Sequence, residues 1–410
     1  MMGGFVHSAA VMVAAATLYL NGEVTAQLTD LPLCRGNPVY SYTSAQNVFP
    51  ELKNAIQKVS QNQVVTWWTD NNPDYYKEMQ KLLNNCNSST VPTIAVYGLP
   101  NKDCKAGFSN KGANKDSDMY VAFIKELASL VGTRPVNYIM EPDGVGLALD
   151  APCGKTAGYL DNMMTAIPML TDDNLNASLY IDVGYWSLKT DELTSEVVQA
   201  VKQLASKGGN VRGIALGTSN YRKTSEMSDM CAKFVKASNK EYKCVIDTSR
   251  NYLGPKDGTG EWCNSRYAAI GVPPTSKTGN DLIDYFLWIK APGESDGPCN
   301  TPDITADALK NGPAAGMFFE KAFSLMWDRG YFVDKKLGDK LGRYTLDVDQ
   351  IQEGGGVSYV ALAIVGAICL VLVVGIVFMK RRHDAKQGRA RTNHRQVDAE
   401  AAVRKPYLSL

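Results

Sequence analysis

Short apolar runs alternate with longer amphipathic stretches along most of the chain. The short runs are rich in β-branched and aromatic residues and are bounded by Gly, Pro, Asn or Asp, which predicts buried strands. They lie at residues 64–68, 93–99, 136–140, 178–182, 213–217, 243–247 and 285–290. The stretches of helical period lie at 75–83, 119–131, 159–170, 193–207, 225–237 and 314–329. Strands that alternate with helices are typical of parallel pairing.

Seven strands in this order predict an α/β fold, a distorted seven-stranded parallel β/α barrel of the TIM-like kind. The alternative is an open doubly wound sheet, although no glycine-rich phosphate loop follows the first strand. We place this domain at residues 27–333.

Both ends of the chain carry signals for a membrane. Residues 1–26 are apolar and small, as in a cleaved signal peptide. Residues 357–379 hold no charge, and about 20 apolar residues cross a bilayer, so a buried core helix is the weaker alternative. The basic residues 380–382 then favour a cytoplasmic tail at 380–410. With a stalk at 334–356, the sequence predicts a single-pass type I protein of the cell membrane, its main domain extracellular.

Charge and cysteine content agree with an extracellular domain. Residues 27–379 hold 34 basic and 38 acidic side chains, so we expect no nucleic-acid partner, and we expect a monomer. Apart from Cys369 in the predicted span, eight cysteines form an even set in which disulfides are expected. They are Cys34, Cys86, Cys104, Cys153, Cys231, Cys244, Cys263 and Cys299. Asn87 and Asn176 begin glycosylation sequons.

Histidine is absent from the main domain, because the three histidines are His7, His383 and His394. This excludes a Ser-His-Asp or Cys-His nucleophile there and a histidine-ligated zinc, and we expect neither metal nor cofactor. Acid–base chemistry would therefore fall to carboxylates.

Carboxylates follow five of the predicted strands: Asp103, Asp143, Asp182, Asp247, and the pair Glu294 and Asp296. The carboxyl ends of parallel strands meet at one rim, where neighbouring carboxylates raise one another's pKa. Pro142 is expected to hold Glu141 extended and Asp143 on stiff backbone. We interpret Asp143 as a general acid. A strand-end Asp that caps the next turn is an equally good reading of this motif alone.

Trp68, Tyr97, Trp186 and Trp262 lie at or near the same strand ends. Aromatic rings beside carboxylates suit a sugar, although any one such ring is more often part of the core.

These motifs resemble glycoside hydrolase family 6, which contains cellulases and cellobiohydrolases that act on β-1,4-glucan with inversion. The resemblance runs from about residue 36 to about residue 332. It rests on Tyr97-x-Leu-Pro-x-x-Asp-Cys104, Met140-Glu-Pro-Asp143, Tyr180-Ile-Asp-Val-Gly184, Ile246-Asp-Thr-Ser-Arg-Asn251, Glu261-Trp-Cys-Asn264 and Trp288-Ile-Lys-x-Pro-Gly-Glu-Ser-Asp-Gly297.

The resemblance implies a role for each matching residue. Asp143 corresponds to the catalytic acid, Asp103 to the aspartate that raises its pKa and steers the water, and Asp296 to the debated general base. Tyr97, Ser109, Trp68, Asp182, Trp262, Lys290 and Glu294 correspond to residues around the sugar and water. It also implies the disulfides Cys104–Cys153 and Cys263–Cys299, and we pair the remaining four as Cys34–Cys86 and Cys231–Cys244.

Three departures from the family pattern matter for function. Gly98 and Lys102 stand where many members carry Asp and Arg, and residues 182–186 lack the histidine and the longer tryptophan loop of many members. Two residues separate Asp296 from Cys299, where tunnel-forming cellobiohydrolases carry a long insertion. We therefore expect an open cleft and internal cleavage of a β-glucan. The alternatives are a cellobiohydrolase, an enzyme for another β-glucan, and a membrane-anchored glucan-binding protein that has lost activity.

Overall fold

Seven parallel strands form one sheet in which spatial order follows sequence order. The structure is a computed structural model that describes residues 31–256 and 259–346. The strands are β1 (Thr66–Thr69), β2 (Thr93–Tyr97), β3 (Val136–Met140), β4 (Ala177–Asp182), β5 (Val211–Leu216), β6 (Lys243–Asp247) and β7 (Ile283–Leu287).

The sheet curls until its two edges meet. β1 and β7 are the edge strands, yet the N–H of Val65 donates to the carbonyl of Trp288 (2.9 Å), and the indole N–H of Trp67 donates to the carbonyl of Ile289 (2.8 Å). The expected seven-stranded parallel α/β fold is therefore confirmed, as a curled sheet whose edges touch without pairing along their length in the described residues.

Alternation along the strands separates two cores. In-register residues such as Ala95, Ile139 and Tyr180 fill the inside of the curled sheet. Their neighbours, such as Val96 and Met140, point outward into the larger core under the helices. Successive side chains of a strand point to opposite faces, so every strand contributes to both cores.

Helices cover the outer face and link the strands. They are α1 (Tyr40–Val48), α2 (Lys53–Val59), α3 (Tyr75–Asn85), α4 (Ser117–Val131), α5 (Gly144–Asp150), α6 (Pro152–Thr156), α7 (Tyr159–Thr171), α8 (Asp191–Ala205), α9 (Thr224–Ala237), α10 (Glu320–Asp328) and α11 (Tyr331–Asp334). Two 3-10 turns lie at Pro50–Leu52 and Tyr185–Leu188. Side-chain caps fix the start of two long helices, because Asp116 accepts from the N–H of Met119 and Thr190 from that of Leu193.

The helix predicted at 314–329 is wrong in its first third, since α10 begins at Glu320. Residues 314–317 form a turn, and Phe318 then bridges Glu294 in the segment after β7. Here Met317 accepts from the N–H of Ser295 (2.8 Å) and Phe319 donates to Gly293 (2.8 Å). Pro313 and Gly316, the latter with φ of +83°, explain why this stretch does not join the helix.

The described part of the chain contains four disulfides, with the pairings expected above: Cys34–Cys86, Cys104–Cys153, Cys231–Cys244 and Cys263–Cys299. Cys104–Cys153 is the most relevant to the strand ends, because it joins the loop after β2 to α6, which follows β3.

The stretch predicted as the start of a stalk packs against the domain as far as residue 346. The indole N–H of Trp327 donates to Asp339 (2.8 Å), and Arg343 forms ion pairs with Glu51 and Glu320. The predicted signal peptide, membrane span, cytoplasmic tail and the rest of the stalk lie outside the described residues. No helix within residues 31–256 and 259–346 has the length and apolar character to cross a membrane.

Candidate active site

One cavity of about 650 Å³ opens at the carboxyl ends of the strands. Eight side chains that the sequence analysis selected line it together: Tyr97, Asp103, Ser109, Asp143, Trp262, Lys290, Glu294 and Asp296. Tyr97 is the last residue of β2, and the others come from loops after β2, β3, β6 and β7. These loops converge because parallel strands end on the same side of the sheet.

The turn after β3 has a strained backbone. Glu141 and Asp143 have φ of +46° and +65°, so Glu141 is left-handed and the expectation that Pro142 holds it extended was wrong. The buried Glu141 carboxylate overrides that preference by accepting from the N–H groups of Gly98 (3.0 Å) and Leu99 (3.3 Å) and from the Tyr120 hydroxyl (2.9 Å). These bonds fasten the end of β3 to the end of β2.

Asp182 fixes the backbone of Asp143 in the same turn. Its Oδ1 accepts from the backbone N–H groups of Asp143 (2.8 Å) and Gly184 (3.1 Å), and the side chain is 1% exposed. A carboxylate so enclosed has no surface for a sugar, so the expectation that Asp182 binds substrate was wrong. It positions Asp143 instead.

The carboxyl of Asp143 lies in surroundings that disfavour its charged form. Burial, and then the neighbouring carboxyls of Asp182 and Asp103, raise the pKa of Asp143 well above its ordinary value. Burial also raises the pKa of Asp182, to about 6. The Asp143 carboxyl can therefore keep its proton in mildly acidic water and give that proton to a bound group.

Asp103 also lines the cavity, in a loop whose backbone N–H groups surround its side chain. Its Oδ2 accepts from the N–H of Ser109 (2.6 Å). Burial raises the pKa of Asp103, and the backbone N–H groups of Ser109, Phe108 and Gly107 oppose this rise. The Asp103 carboxylate can therefore carry charge while it remains beside the cavity.

Asp296 is held by donors on both oxygens. Arg250, buried and stacked on the Tyr221 ring, donates to Oδ1 (2.9 Å), while the Tyr221 hydroxyl and the N–H of Asn264 donate to Oδ2. These three donors already occupy both oxygens of the Asp296 carboxylate. A proton could reach it through a water.

Lys290 and Glu294 form a polar edge of the cavity. Their charged groups lie 3.9 Å apart, and Glu294 also accepts from the Ser41 hydroxyl of α1 (2.9 Å). At that separation the two side chains do not form a hydrogen bond with each other, so both can form hydrogen bonds with hydroxyl groups of a ligand.

Trp68 does not face the cavity, which contradicts its assignment to substrate. It is 0% exposed, donates to the carbonyl of Phe123 (3.2 Å) and packs on Tyr75 from α3. The adjacent Trp67 lines the cavity and meets the Tyr97 ring edge-on at 5.5 Å. The alternation of the strand puts one of the two rings inside and the other outside.

Asp247, another strand-end carboxylate, binds backbone N–H groups. Its oxygens accept from the N–H groups of Ser219 (2.9 Å), Ser249 (2.9 Å), Ile289 (3.3 Å) and Lys290 (3.2 Å). It joins the loops after β5, β6 and β7 below the cavity.

Three further aromatic residues that line the cavity, Tyr185, Trp186 and Phe108, were weakly signalled or missed. Trp186 was noted only as near the strand ends, and it lies against Gly146 and Gly184, where an added Cβ would come within 2.8 Å of the indole. Phe108 carried no signal, because its position depends on a loop conformation that no local pattern specifies. Among the described residues, no group of three or more His, Cys, Asp or Glu side chains is arranged to hold a metal ion.

Comparisons with known proteins agree with this geometry. The family model of the Glycosyl hydrolases family 6 matches residues 39–329. Endoglucanase A of Thermobispora bispora is 33% identical over 220 residues, 52% of this chain and 46% of that protein. The 1,4-β-D-glucan cellobiohydrolase CEL6C of Podospora anserina is 28% identical over 326 residues, 68% of this chain and 79% of that protein.

A solved structure is similar over most of the described fold. The endoglucanase Cel6 of Mycobacterium tuberculosis, in complex with a thio-linked cellobioside, has a TM-score of 0.60 and 25% identity, with 72% of this chain and 96% of that chain covered. The chain spans about half the length of curated relatives such as the endoglucanases A of Thermobispora bispora (46%) and Cellulomonas fimi (45%).

The coupling between Asp143 and Asp182 can be tested by titration. Asp182→Asn keeps an oxygen for the N–H of Asp143 but removes the negative charge that disfavours ionisation of Asp143. We expect the pKa of Asp143 to fall, because one of the neighbouring negative charges is gone. Carbon-13 NMR of the aspartate carboxyls measures it, with Asp143→Asn as the assignment and Asp229→Asn, exposed on α9, as the control. An unchanged Asp143 midpoint in Asp182→Asn would rule the coupling out.

Proposed function

Because the chain belongs to glycosyl hydrolases family 6, we propose that it hydrolyses β-1,4-glucosidic bonds of cellulose or a related β-glucan with inversion at the anomeric carbon. The observation that carries the proposal is the half-buried Asp143, whose raised pKa and place with Asp103 in the lining of an open cavity suit a general acid. Glycoside hydrolysis needs a proton donor to the leaving oxygen and an acceptor for the proton of water, and carboxylates can supply both.

In the proposed reaction, Asp143 gives its proton to the glycosidic oxygen as the C1–O bond breaks. Asp103 and Ser109 hold a water that attacks C1 from the opposite face. The proton of that water passes to Asp296, through a second water because Arg250 and Tyr221 already occupy the Asp296 oxygens. Asp296 then releases its proton to solvent and Asp143 takes one up from solvent, which restores both groups. The distorted sugar packs beside Tyr97.

Sugar binding falls to the remaining residues of the cavity. Lys290 and Glu294 bond to hydroxyls at one edge, and Trp262 offers a ring face. Trp67 takes the part that the sequence analysis gave to Trp68, since it is the ring that lines the cavity.

The function is tested with the purified full-length chain on a soluble β-1,4-glucan. We expect new reducing ends, and proton NMR should show the α-anomer first because inversion converts a β-bond into an α-product. Asp143→Asn should lower kcat by about 10²- to 10⁴-fold, the usual contribution of a general acid. Asp161→Asn, exposed at the start of α7, is the control. A wild-type chain that binds the glucan without cleaving it would contradict the proposal and support a binding protein.

We also propose that cleavage is internal. The short connection from Asp296 to Cys299 leaves little chain to roof the cavity. The viscosity of the polymer should therefore fall early, when few reducing ends have formed. Release of cellobiose alone, with viscosity falling only in proportion to product, would instead indicate a cellobiohydrolase.

The location proposed for the enzyme is the outer surface of the cell membrane. Residues 1–26 and 357–379 support it through their sequence alone, and Asn87 and Asn176 are proposed as glycosylated on the extracellular side. The full chain should remain in the membrane fraction after an alkaline carbonate wash, and deletion of 357–379 should release it. Deletion of 384–410 is the control and should not. A full chain found in the soluble fraction would refute the anchor.

A further inference from the structure

The loop from Asn101 to Ser109 carries two of the residues proposed to hold the attacking water. Its backbone is strained, with φ of +56° at Asn101 and +53° at Asp103. Buried Lys102 forms an ion pair with Asp70, and Asn71 donates to the carbonyl of Ser109 (2.9 Å). Both ends of the loop are thus fastened to the residues that follow β1.

Between these attachments the ring of Phe108 packs against residues outside its own loop. It packs against Gly297, where an added Cβ would lie 3.0 Å from two ring atoms, and its centroid is 6.0 Å from that of Trp262. Phe108 also contacts the small core around the Cys263–Cys299 disulfide. Gly297 has φ of +128° and no side chain, so the ring lies directly on the backbone that follows Asp296.

This contact joins two loops that are not neighbours in the sheet. The Asp103 loop follows β2 and the Asp296 segment follows β7, with β1 between them at the sheet edges. Phe108 therefore spans the end of β1 and links a residue that steers the water to the residue that would take its proton.

We propose that Phe108 is a positioning residue that sets the separation between Asp103 and Asp296, and so the place of the attacking water. The inference rests on the proposed function. A displacement of about 1 Å in such a site can cost about 100-fold in rate. Two rival roles predict different effects: a ring that stacks on sugar would act on KM, and a ring that only packs would act on stability.

The experiment separates the water step from the proton step. A β-cellobiosyl fluoride loses fluoride without protonation, so Asp143→Asn should regain much of its activity on this substrate. Phe108→Ala should remain slow on the fluoride, because its attacking water is still displaced. We expect Phe108→Ala in the full-length chain to lower kcat by roughly 10- to 100-fold on both the glucan and the fluoride, with KM within about twofold of wild type. Phe108→Leu should recover most of the loss.

Phe286→Ala is the matched control, since this half-buried ring packs on the outer core and does not line the cavity. The proposal is overturned by any of three results for Phe108→Ala: a raised KM with kcat kept, normal turnover of the fluoride, or a loss of kcat that parallels a lowered Tm and that Phe108→Leu does not relieve. Failure of the proposed function would differ, because the wild-type chain would then be inactive on both substrates.

Discussion

The hydrogen bond from the backbone N–H of Asp143 to the buried Asp182 carboxylate is the contact on which the rest of the cleft depends. It holds a left-handed residue at the end of β3, where such a conformation costs about 1–3 kcal/mol. Glu141, two positions before Asp143, is also left-handed, and the bonds of its carboxylate to Gly98, Leu99 and Tyr120 hold it in that conformation. Two carboxylates on neighbouring strands thus offset the strain and aim the carboxyl of Asp143 into the cavity.

The acidic residues at the strand ends therefore fall into two groups with different tasks. Glu141, Asp182 and Asp247 are buried and accept hydrogen bonds from backbone. Glu141 and Asp182 fasten the ends of β2, β3 and β4 to one another, and Asp247 does the same for the ends of β5, β6 and β7. Asp103 and Asp143 face the cavity and share its electrostatic environment. The first group positions the second, while burial, and then the neighbouring carboxyls of Asp182 and Asp103, raise the pKa of Asp143.

Much of this arrangement could be predicted from the sequence, and the limits have physical causes. The seven strands were recognisable because a buried parallel strand is a short apolar run between loop residues. Asp103, Asp143, Glu294 and Asp296 were found because parallel strands end on one side, whereas Ser109 and Lys290 were found only through the family resemblance. Trp68 was misassigned because adjacent residues of a strand point in opposite directions, and the sequence does not say which of Trp67 and Trp68 points inward. The roles of Asp182 and Glu141 depend on backbone N–H groups of other strands, and the position of Phe108 depends on Gly297, almost 200 residues away.

The central claim is that Asp143 delivers a proton to the leaving oxygen. The most direct measurement compares aryl β-cellobiosides whose leaving phenols differ in pKa, with wild type and Asp143→Asn. The account predicts that kcat/KM of the wild type depends weakly on the phenol, and that the variant depends on it steeply, approaching wild type for the most acidic phenols. An equally shallow dependence in both proteins would contradict it.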